Sequence, residues 1–132
     1  MKTARELWES VWSAIDGDDH VTVRRLCGDD MEIKTPSRHY VGGQKLIEML
    51  NLHRSVHADL QRQIDGVIES ADGRALSCEM TVSGRPHGTD KRLSWVVVET
   101  IRTDGERITS WHSMLDRAWL ISEVKSLQEQ PA

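Results

Sequence analysis

Apolar residues recur every three or four positions along the first third of the chain, the spacing that places them on one face of a helix. Clusters of glycine, proline and aspartate separate these periodic segments and indicate where each one ends. The pattern predicts four elements: a helix over 4–15, a short helix over 20–27, a strand over 31–40 that is broken at Thr35-Pro36, and a helix that begins after Gly42-Gly43. The N-terminal part is therefore predicted to be mainly helical.

The rest of the chain alternates apolar and polar residues, as half-buried strands do. Four strands are predicted near 58–69, 74–84, 92–103 and 106–115, and a last helix over 117–127. Asp72-Gly73 and Asp104-Gly105 are typical hairpin turns between such strands. This order predicts an α+β fold, with a cone-shaped, curved antiparallel sheet that is covered by the N-terminal helices and encloses a pocket.

Composition and charge narrow the class of protein. The 132 residues are 38% hydrophobic, enough for one core without a metal or a disulfide, so residues 1–132 are predicted to form a single domain. Seventeen basic residues are scattered among 21 acidic ones, and the net charge of -4 predicts no nucleic-acid partner. The first ten residues lack the apolar core of a signal peptide, and no run is long enough for a bilayer. We therefore expect no membrane partner and a cytoplasmic protein.

Glu99 interrupts the apolar face of a predicted strand. The alternate residues on that face are Leu93, Trp95, Val97 and Ile101. An unpaired buried charge is very costly, so Glu99 must either stand beside a cation, such as Arg62 or Arg74, or be protonated with a raised pKa. In the protonated state it could donate a hydrogen bond to an enolate oxygen, and Glu99 is therefore a candidate catalytic residue.

Two further candidate catalytic residues, Asp116 and His112, lie near the end of the last strand. Asp116 can cap the following helix through the amide of residue 118 or 119, or it can act as a general base at the mouth of the pocket. His112 precedes it by four residues, and we expect both on the same side of the strand. His112 could relay a proton, or it could simply be solvated.

The aromatic residues are unusual, because the chain has five Trp, one Tyr and no Phe. Tryptophans on neighbouring strands and on the first helix would either form flat walls for a flat apolar ligand or pack as an ordinary core. The residues predicted to contact a substrate are Trp95, Trp111, Met80, Val82, Val97, Leu115 and Trp12.

His53 and His57 have the spacing of a metal-binding pair on one helical face. A catalytic zinc site needs a third protein ligand, and the segment from Ser55 to Asp59 is expected to have left the helix already. We therefore predict no metal and no cofactor, and we expect both histidines to be surface side chains at the end of a helix.

Three segments carry a resemblance to a known superfamily: the acidic stretch GDDH, the segment GDDMEIKTPSRHYVGG and the closing TDGERITSWHSMLD. With the predicted order of elements, they resemble the nuclear transport factor two-like superfamily over nearly the whole chain. The last segment looks like both the SnoaL-type polyketide cyclases and the limonene epoxide hydrolases. The resemblance implies the cone-shaped fold and a homodimer, but folds of this kind host many chemistries.

Two activities of this superfamily can be compared position by position. The resemblance places the water-activating Arg and two Asp of the epoxide hydrolases at Met80, Val82 and Ser113, so we do not expect that activity. The base of the ketosteroid isomerases corresponds to Thr35, which cannot replace it. Their second acid corresponds to Glu99, so the resemblance implies that the second acid of an isomerase site is present and the base is missing.

The cyclase resemblance depends on the last strand. It places the acid/base Asp of the cyclases at Asp116. The accompanying cyclase His would fall near residues 101–103, where none occurs, so His112 would have to substitute for it.

Together these observations predict a cofactor-independent enzyme of the cyclase or isomerase type that acts on a flat, apolar carbonyl compound. Asp116 would remove a proton next to the carbonyl, and Glu99 or His112 would stabilise the resulting enolate.

The alternative is a non-enzymatic ligand-binding or dimerisation module of the same fold. Its outer sheet face, with Val96, Val98 and Thr100, would then bind a partner chain. An ion pair between Glu99 and an arginine under packed side chains would favour the module, whereas a void beside Glu99 would favour the enzyme.

Overall fold

Four helices and six strands form the protein in a computed structural model that describes residues 1–130. The helices are α1 (Ala4–Asp16), α2 (His20–Leu26), α3 (Gly43–Val56) and α4 (Arg117–Glu129). The strands are β1 (Cys27–Lys34), β2 (His39–Val41), β3 (His57–Glu69), β4 (Ala75–Pro86), β5 (Leu93–Thr103) and β6 (Ile108–Met114). The predicted α+β class and the break between β1 and β2 are confirmed.

The strands form one curled sheet in the order β2-β1-β6-β5-β4-β3. Strands β3 to β6 make the predicted antiparallel meander. However, β1 pairs with β6 in parallel, so the prediction of a wholly antiparallel sheet is wrong in this place. Alternation within a strand shows which residues share a face, but it carries no information about the direction of a neighbour that is distant in sequence.

Helix α1 covers the inner face of this sheet, and side-chain hydrogen bonds cap its N-terminus. Thr3 and Glu6 form a capping box, in which the Thr3 hydroxyl accepts from the Glu6 amide at 3.2 Å and the Glu6 carboxylate accepts from the Thr3 amide at 3.1 Å. Leu7, Trp8 and Val11 are almost completely buried against the strands. The main core therefore lies between the N-terminal helices and the sheet.

The turn into α3 depends on a glycine. Gly42 has a φ of 95°, a conformation that other residues rarely adopt. A Cβ at this position would also lie 3.1 Å from the carbonyl oxygen of Asp29. This turn directs α3 across the end of the sheet, where the helix forms part of two cavities.

The outer face of the sheet carries exposed apolar side chains that include Ile68, Val96 and Met114. Val98 and Thr100, which were also expected on this face, are half-buried. The predicted homodimer would bury some of this surface, and it stays a prediction. Across residues 1–130, no helix combines the length and the apolar character that crossing a bilayer requires.

Candidate active site

Glu99 lies in the middle of β5 and points to the inner face of the sheet. It pairs in register with Cys78 on β4 and with Ser113 on β6. Its inward neighbours on β5, Val97 and Ile101, are buried, and Glu99 itself is only 4% exposed. The strand periodicity therefore places a carboxylate inside the core, as the sequence predicts.

Three tryptophan indoles donate hydrogen bonds to this carboxylate. The Nε1 atoms of Trp8 and Trp12 donate to Oε1 of Glu99 at 3.0 and 2.9 Å, and Nε1 of Trp111 donates to Oε2 at 3.0 Å. Trp8 and Trp12 are four residues apart and share one face of α1, while Trp111 lies on β6. Because an indole N–H can only donate, both carboxylate oxygens of Glu99 act as acceptors.

Arg62 contacts one of these tryptophans and forms no ion pair with Glu99. It donates two hydrogen bonds to Asp16, at 3.1 and 2.8 Å, and its guanidinium carbon lies 3.8 Å from the centroid of the Trp12 ring. The ion pair of Glu99 with Arg62 or Arg74 is therefore not found among residues 1–130. Instead, the cation–π contact orders the indole that donates to Glu99.

Opposing effects set the pKa of Glu99. Burial raises the pKa, because the ionised form loses its hydration. The hydrogen bonds from the three indoles and the charge of Arg62 lower it. Burial is the largest effect, so the pKa of Glu99 is above that of an ordinary carboxyl group. A carboxylate has about four acceptor sites, and the indoles fill three of them.

A cavity of about 150 Å³ adjoins the carboxylate, and we call it the Glu99 cavity. Its apolar walls come from α1, α3 and the strands: Trp12, Ile15, Leu50, Leu60, Met80, Val82, Trp95, Val97 and Leu115. Its polar groups besides Glu99 are Asp16, His53, Arg54, Arg62 and Ser113. Glu99 therefore borders a void, which is the observation expected of the enzyme.

Most of the residues predicted to contact a substrate line the Glu99 cavity: Trp12, Met80, Val82, Trp95, Val97 and Leu115. Trp111 is the exception, because it is 1% exposed and its indole N–H is used by Glu99. The prediction that Trp111 forms a flat wall of the pocket is therefore not supported by its position. The polar residues of α1, α3 and β3 were not predicted, since nothing local in the sequence shows that these elements meet.

The positions that correspond to the epoxide hydrolase machinery also line the Glu99 cavity. Met80, Val82 and Ser113 are all on its wall, and none of them carries a charge. The carboxylate reaches the same space from the neighbouring strand, because Glu99 is the register partner of Ser113. Glu99 is therefore the carboxylate among the register partners of these three uncharged positions.

The other two predicted catalytic residues lie elsewhere. His112 is on the outer face of β6, where its Nε2 atom is 3.4 Å from a carboxylate oxygen of Glu32. Asp116 is exposed, and its Oδ1 atom accepts from the Trp119 amide at 3.0 Å, which confirms its capping role. Neither lines the Glu99 cavity, so the structure does not bring the three predicted catalytic residues together.

His57 differs from the expectation of a surface side chain. It is 4% exposed, and its ring centroid lies 4.9 Å from that of Trp95. His53 is half-buried and lines the Glu99 cavity. Burial lowers the pKa of both imidazoles, which favours their neutral forms. In the described part of the chain, no cluster of three or more His, Cys, Asp or Glu residues could hold a metal ion.

No family model matches this sequence, and no curated protein matches it. Similar solved structures include an LEH-like epoxide hydrolase from Mycobacterium tuberculosis, with 22% identity, a TM-score of 0.69, and 94% of this chain and 90% of that chain covered. A candidate polyketide cyclase from Xanthomonas campestris has 15% identity, a TM-score of 0.73, and coverage of 92% and 96%. An NTF2-like (nuclear transport factor two-like) protein from Burkholderia thailandensis has 16% identity, a TM-score of 0.76, and coverage of 99% and 100%. This chain therefore has the NTF2-like fold.

Proposed function

We propose that this protein is an acid/base enzyme that moves a proton on a small apolar carbonyl compound, with Glu99 as the group that takes and returns the proton. The observation that carries this proposal is the void beside a buried carboxylate. Three of its acceptor sites are filled by indoles, which leaves one for a proton or a ligand in the cavity. Proton transfer is most efficient when the pKa of the group is near the working pH, and the raised pKa of Glu99 supports this role.

The proposed step begins with ionised Glu99 and a carbon next to the substrate carbonyl. Glu99 removes a proton from that carbon, the C–H electrons form the C=C bond of an enolate, and the carbonyl π electrons move to oxygen. If a C=C bond of the substrate is conjugated with the enolate, the proton can return to the far carbon of the resulting dienolate, and the product is an isomer with a shifted double bond. If the enolate carbon instead attacks a second carbonyl of the same molecule, a ring closes and the proton goes to the new alkoxide. Glu99 ends each cycle ionised.

The negative charge that develops on the enolate oxygen needs a hydrogen-bond donor. The wall of the Glu99 cavity offers the hydroxyl of Ser113 and the imidazole of His53. The guanidinium groups of Arg54 and Arg62 also line it, although both are paired with aspartates of the α1 region. Ser113 and His53 are therefore the donors that we assign to the enolate oxygen.

The volume of the Glu99 cavity limits the part of the substrate that reacts. A dry apolar cavity of roughly 150 Å³ holds a benzene molecule. The Glu99 cavity has about this volume, and nine of its fifteen lining residues are apolar. We therefore propose a reacting unit of one ring, for example a cyclic ketone, that stacks beside Trp95.

Hydrogen exchange tests the proposal without knowledge of the natural substrate. A panel of single-ring ketones and β-diketones is incubated with the protein in D₂O, and proton NMR follows the loss of the hydrogens next to the carbonyl. We expect catalysed exchange with at least one compound. If no compound exchanges faster than in buffer alone, the proposal is wrong.

Asp116 provides the matched control, because it is the base that the sequence alone predicts. Asn caps helices about as well as Asp, so Asp116→Asn should change the free energy of unfolding by less than about 0.5 kcal/mol. Its exchange rate should equal that of the unchanged protein, since Asp116 does not line the Glu99 cavity. Chemical denaturation and the NMR assay check both values. A stable Asp116→Asn variant without exchange would identify Asp116 as the base instead.

A ligand-binding module without turnover is the second candidate function. The observation in its favour is that three indole donors hold the carboxylate as a fixed hydrogen-bond acceptor, which would also suit a ligand hydroxyl. A compound that quenches tryptophan fluorescence with saturation, an effect lost in Trp95→Leu, but that exchanges no hydrogen would support the module.

A further inference from the structure

A second and larger cavity, of about 460 Å³, lies between α3 and α4, and we call it the α3–α4 chamber. Met49 and Val56 of α3 face Leu120 and Val124 of α4 across it. Its volume is within the range of roughly 300–1,000 Å³ that is typical of small-molecule sites. The chamber is therefore large enough to be a binding site in its own right.

Apart from the phenol of Tyr40, the ionisable side chains that line the α3–α4 chamber are basic: His53, His57, His87, Arg117 and Lys125. Among residues 1–130, no Asp or Glu lines it. This is the reverse of the chain as a whole, whose net charge is -4. An apolar chamber whose described wall carries the cations Arg117 and Lys125 and no carboxylate is complementary to an apolar molecule with a negative charge.

Arg117 is the cation best placed to hold such a charge. Its guanidinium donates to the Ser37 hydroxyl at 3.1 Å, and it forms no ion pair within the described part of the chain. The charge of Arg117 also reaches His53, whose pKa it lowers in addition to the effect of burial. Arg117 is half-buried, so an anion beside it would be partly shielded from water.

His57 offers a neutral donor to the same chamber. Its Nδ1 atom is buried and has no hydrogen-bond partner among the residues that the structure describes. A buried N–H without a partner is rarer in proteins than a buried acceptor without one, so the neutral ring should carry its hydrogen on Nε2. Nε2 forms no hydrogen bond within residues 1–130 and can donate to a ligand oxygen in the α3–α4 chamber.

We propose that the α3–α4 chamber binds a carboxylate with an apolar chain, a molecule of the fatty-acid type, with its carboxylate at Arg117 and its chain between α3 and α4. This inference goes beyond the proposed function, because it uses neither Glu99 nor proton transfer. The chamber and the Glu99 cavity share the wall formed by His53, Ser113 and Leu115. In this proposal the anionic group of the ligand binds at Arg117, which lines the α3–α4 chamber but not the Glu99 cavity.

Isothermal titration calorimetry with decanoate and with decanol tests the role of the charge. These two probes have the same chain and differ in the head group. Decanoate should bind at one site, about tenfold more tightly than decanol, because only decanoate can form charge-assisted hydrogen bonds with a guanidinium. Equal affinity for the two probes would mean that the chamber is only an apolar cavity, and it would overturn the proposal, as would the absence of decanoate binding.

Variants locate the binding site. Arg117→Gln should weaken decanoate binding by about five- to tenfold and leave decanol binding unchanged. Arg102→Gln is the matched control, since Arg102 is an exposed arginine of β5 that lines neither cavity, and it should have no effect. Unchanged decanoate affinity in Arg117→Gln would overturn the proposal.

A folded Glu99→Gln variant separates this proposal from the proposed function. It should still bind decanoate with the same affinity, whatever the outcome of the hydrogen-exchange assay. If Glu99→Gln abolished decanoate binding, the ligand would occupy the Glu99 cavity, and the assignment to the α3–α4 chamber would be wrong.

Discussion

Replacing Glu99 with leucine is expected to lower the free energy of unfolding by about 3 kcal/mol or more, because each buried donor that loses its acceptor costs about 1–3 kcal/mol. Trp8, Trp12 and Trp111 would all lose the acceptor of their indole N–H. The carboxylate is itself costly to bury, and its removal offsets part of the loss. Urea denaturation followed by circular dichroism measures the difference. A Glu99→Leu variant as stable as the original protein would contradict this expectation.

Glutamine provides a sharper control, because it has the shape of glutamate but only one acceptor oxygen. Trp8 and Trp12 share Oε1 of Glu99 and Trp111 uses Oε2, so the amide NH₂ of Glu99→Gln faces the indole N–H of Trp111 in its best orientation. Trp111→Phe removes this conflict. The double variant should therefore be more stable than the two single changes predict, by about 1 kcal/mol or more. Strict additivity would contradict the observed hydrogen bonds.

Loss of the carboxylate should also lower the rate of hydrogen exchange next to the carbonyl by about 10²- to 10⁴-fold, the usual contribution of a general acid or base. The best comparison is between Trp111→Phe and Glu99→Gln/Trp111→Phe, because the glutamine is accommodated without an opposing donor. Saturable quenching of the remaining tryptophan fluorescence shows whether the ketone still binds. If the double variant bound the ketone and kept its rate within tenfold, Glu99 would not be the group that transfers the proton.

The sequence predicts the elements and the inward position of Glu99 because both follow from local periodicity. The partners of Glu99 could not be predicted in this way, since Trp8 and Trp12 are 91 and 87 residues away along the chain. One signal was nevertheless present in the composition. Phe offers a similar apolar surface without an N–H group, so a chain with five Trp and no Phe is rich in indole donors. Three of the five Trp in this protein donate to the same carboxylate.

The boundaries of the strands and helices explain why the structure places His112, Asp116 and His57 elsewhere than the sequence predicts. Strand β6 ends at Met114, so the alternation that relates His112 to Asp116 stops before it reaches Asp116. His57 follows α3 directly and begins β3 without an intervening loop. It therefore enters the core beside Trp95 instead of reaching the surface at the end of a helix.

Titration of the Glu99 carboxyl carbon by NMR tests the central claim most directly, namely that a buried carboxylate held by three indoles titrates at the wall of a cavity. In protein labelled with carbon-13 at the glutamate carboxyl groups, the signal of Glu99 is the one that is absent from Glu99→Gln/Trp111→Phe. We predict a pKa above the ordinary glutamate value of about 4.3, because burial outweighs the indole hydrogen bonds.

The same titration in Trp111→Phe should give a still higher pKa, since the lost donor stabilises the ionised form. Because ionised Glu99 is the proposed base, hydrogen exchange should rise as the pH increases through that pKa, and the rise should move to higher pH in Trp111→Phe. A Glu99 pKa at or below the ordinary value, or one that does not change when Trp111 loses its N–H, would contradict the account.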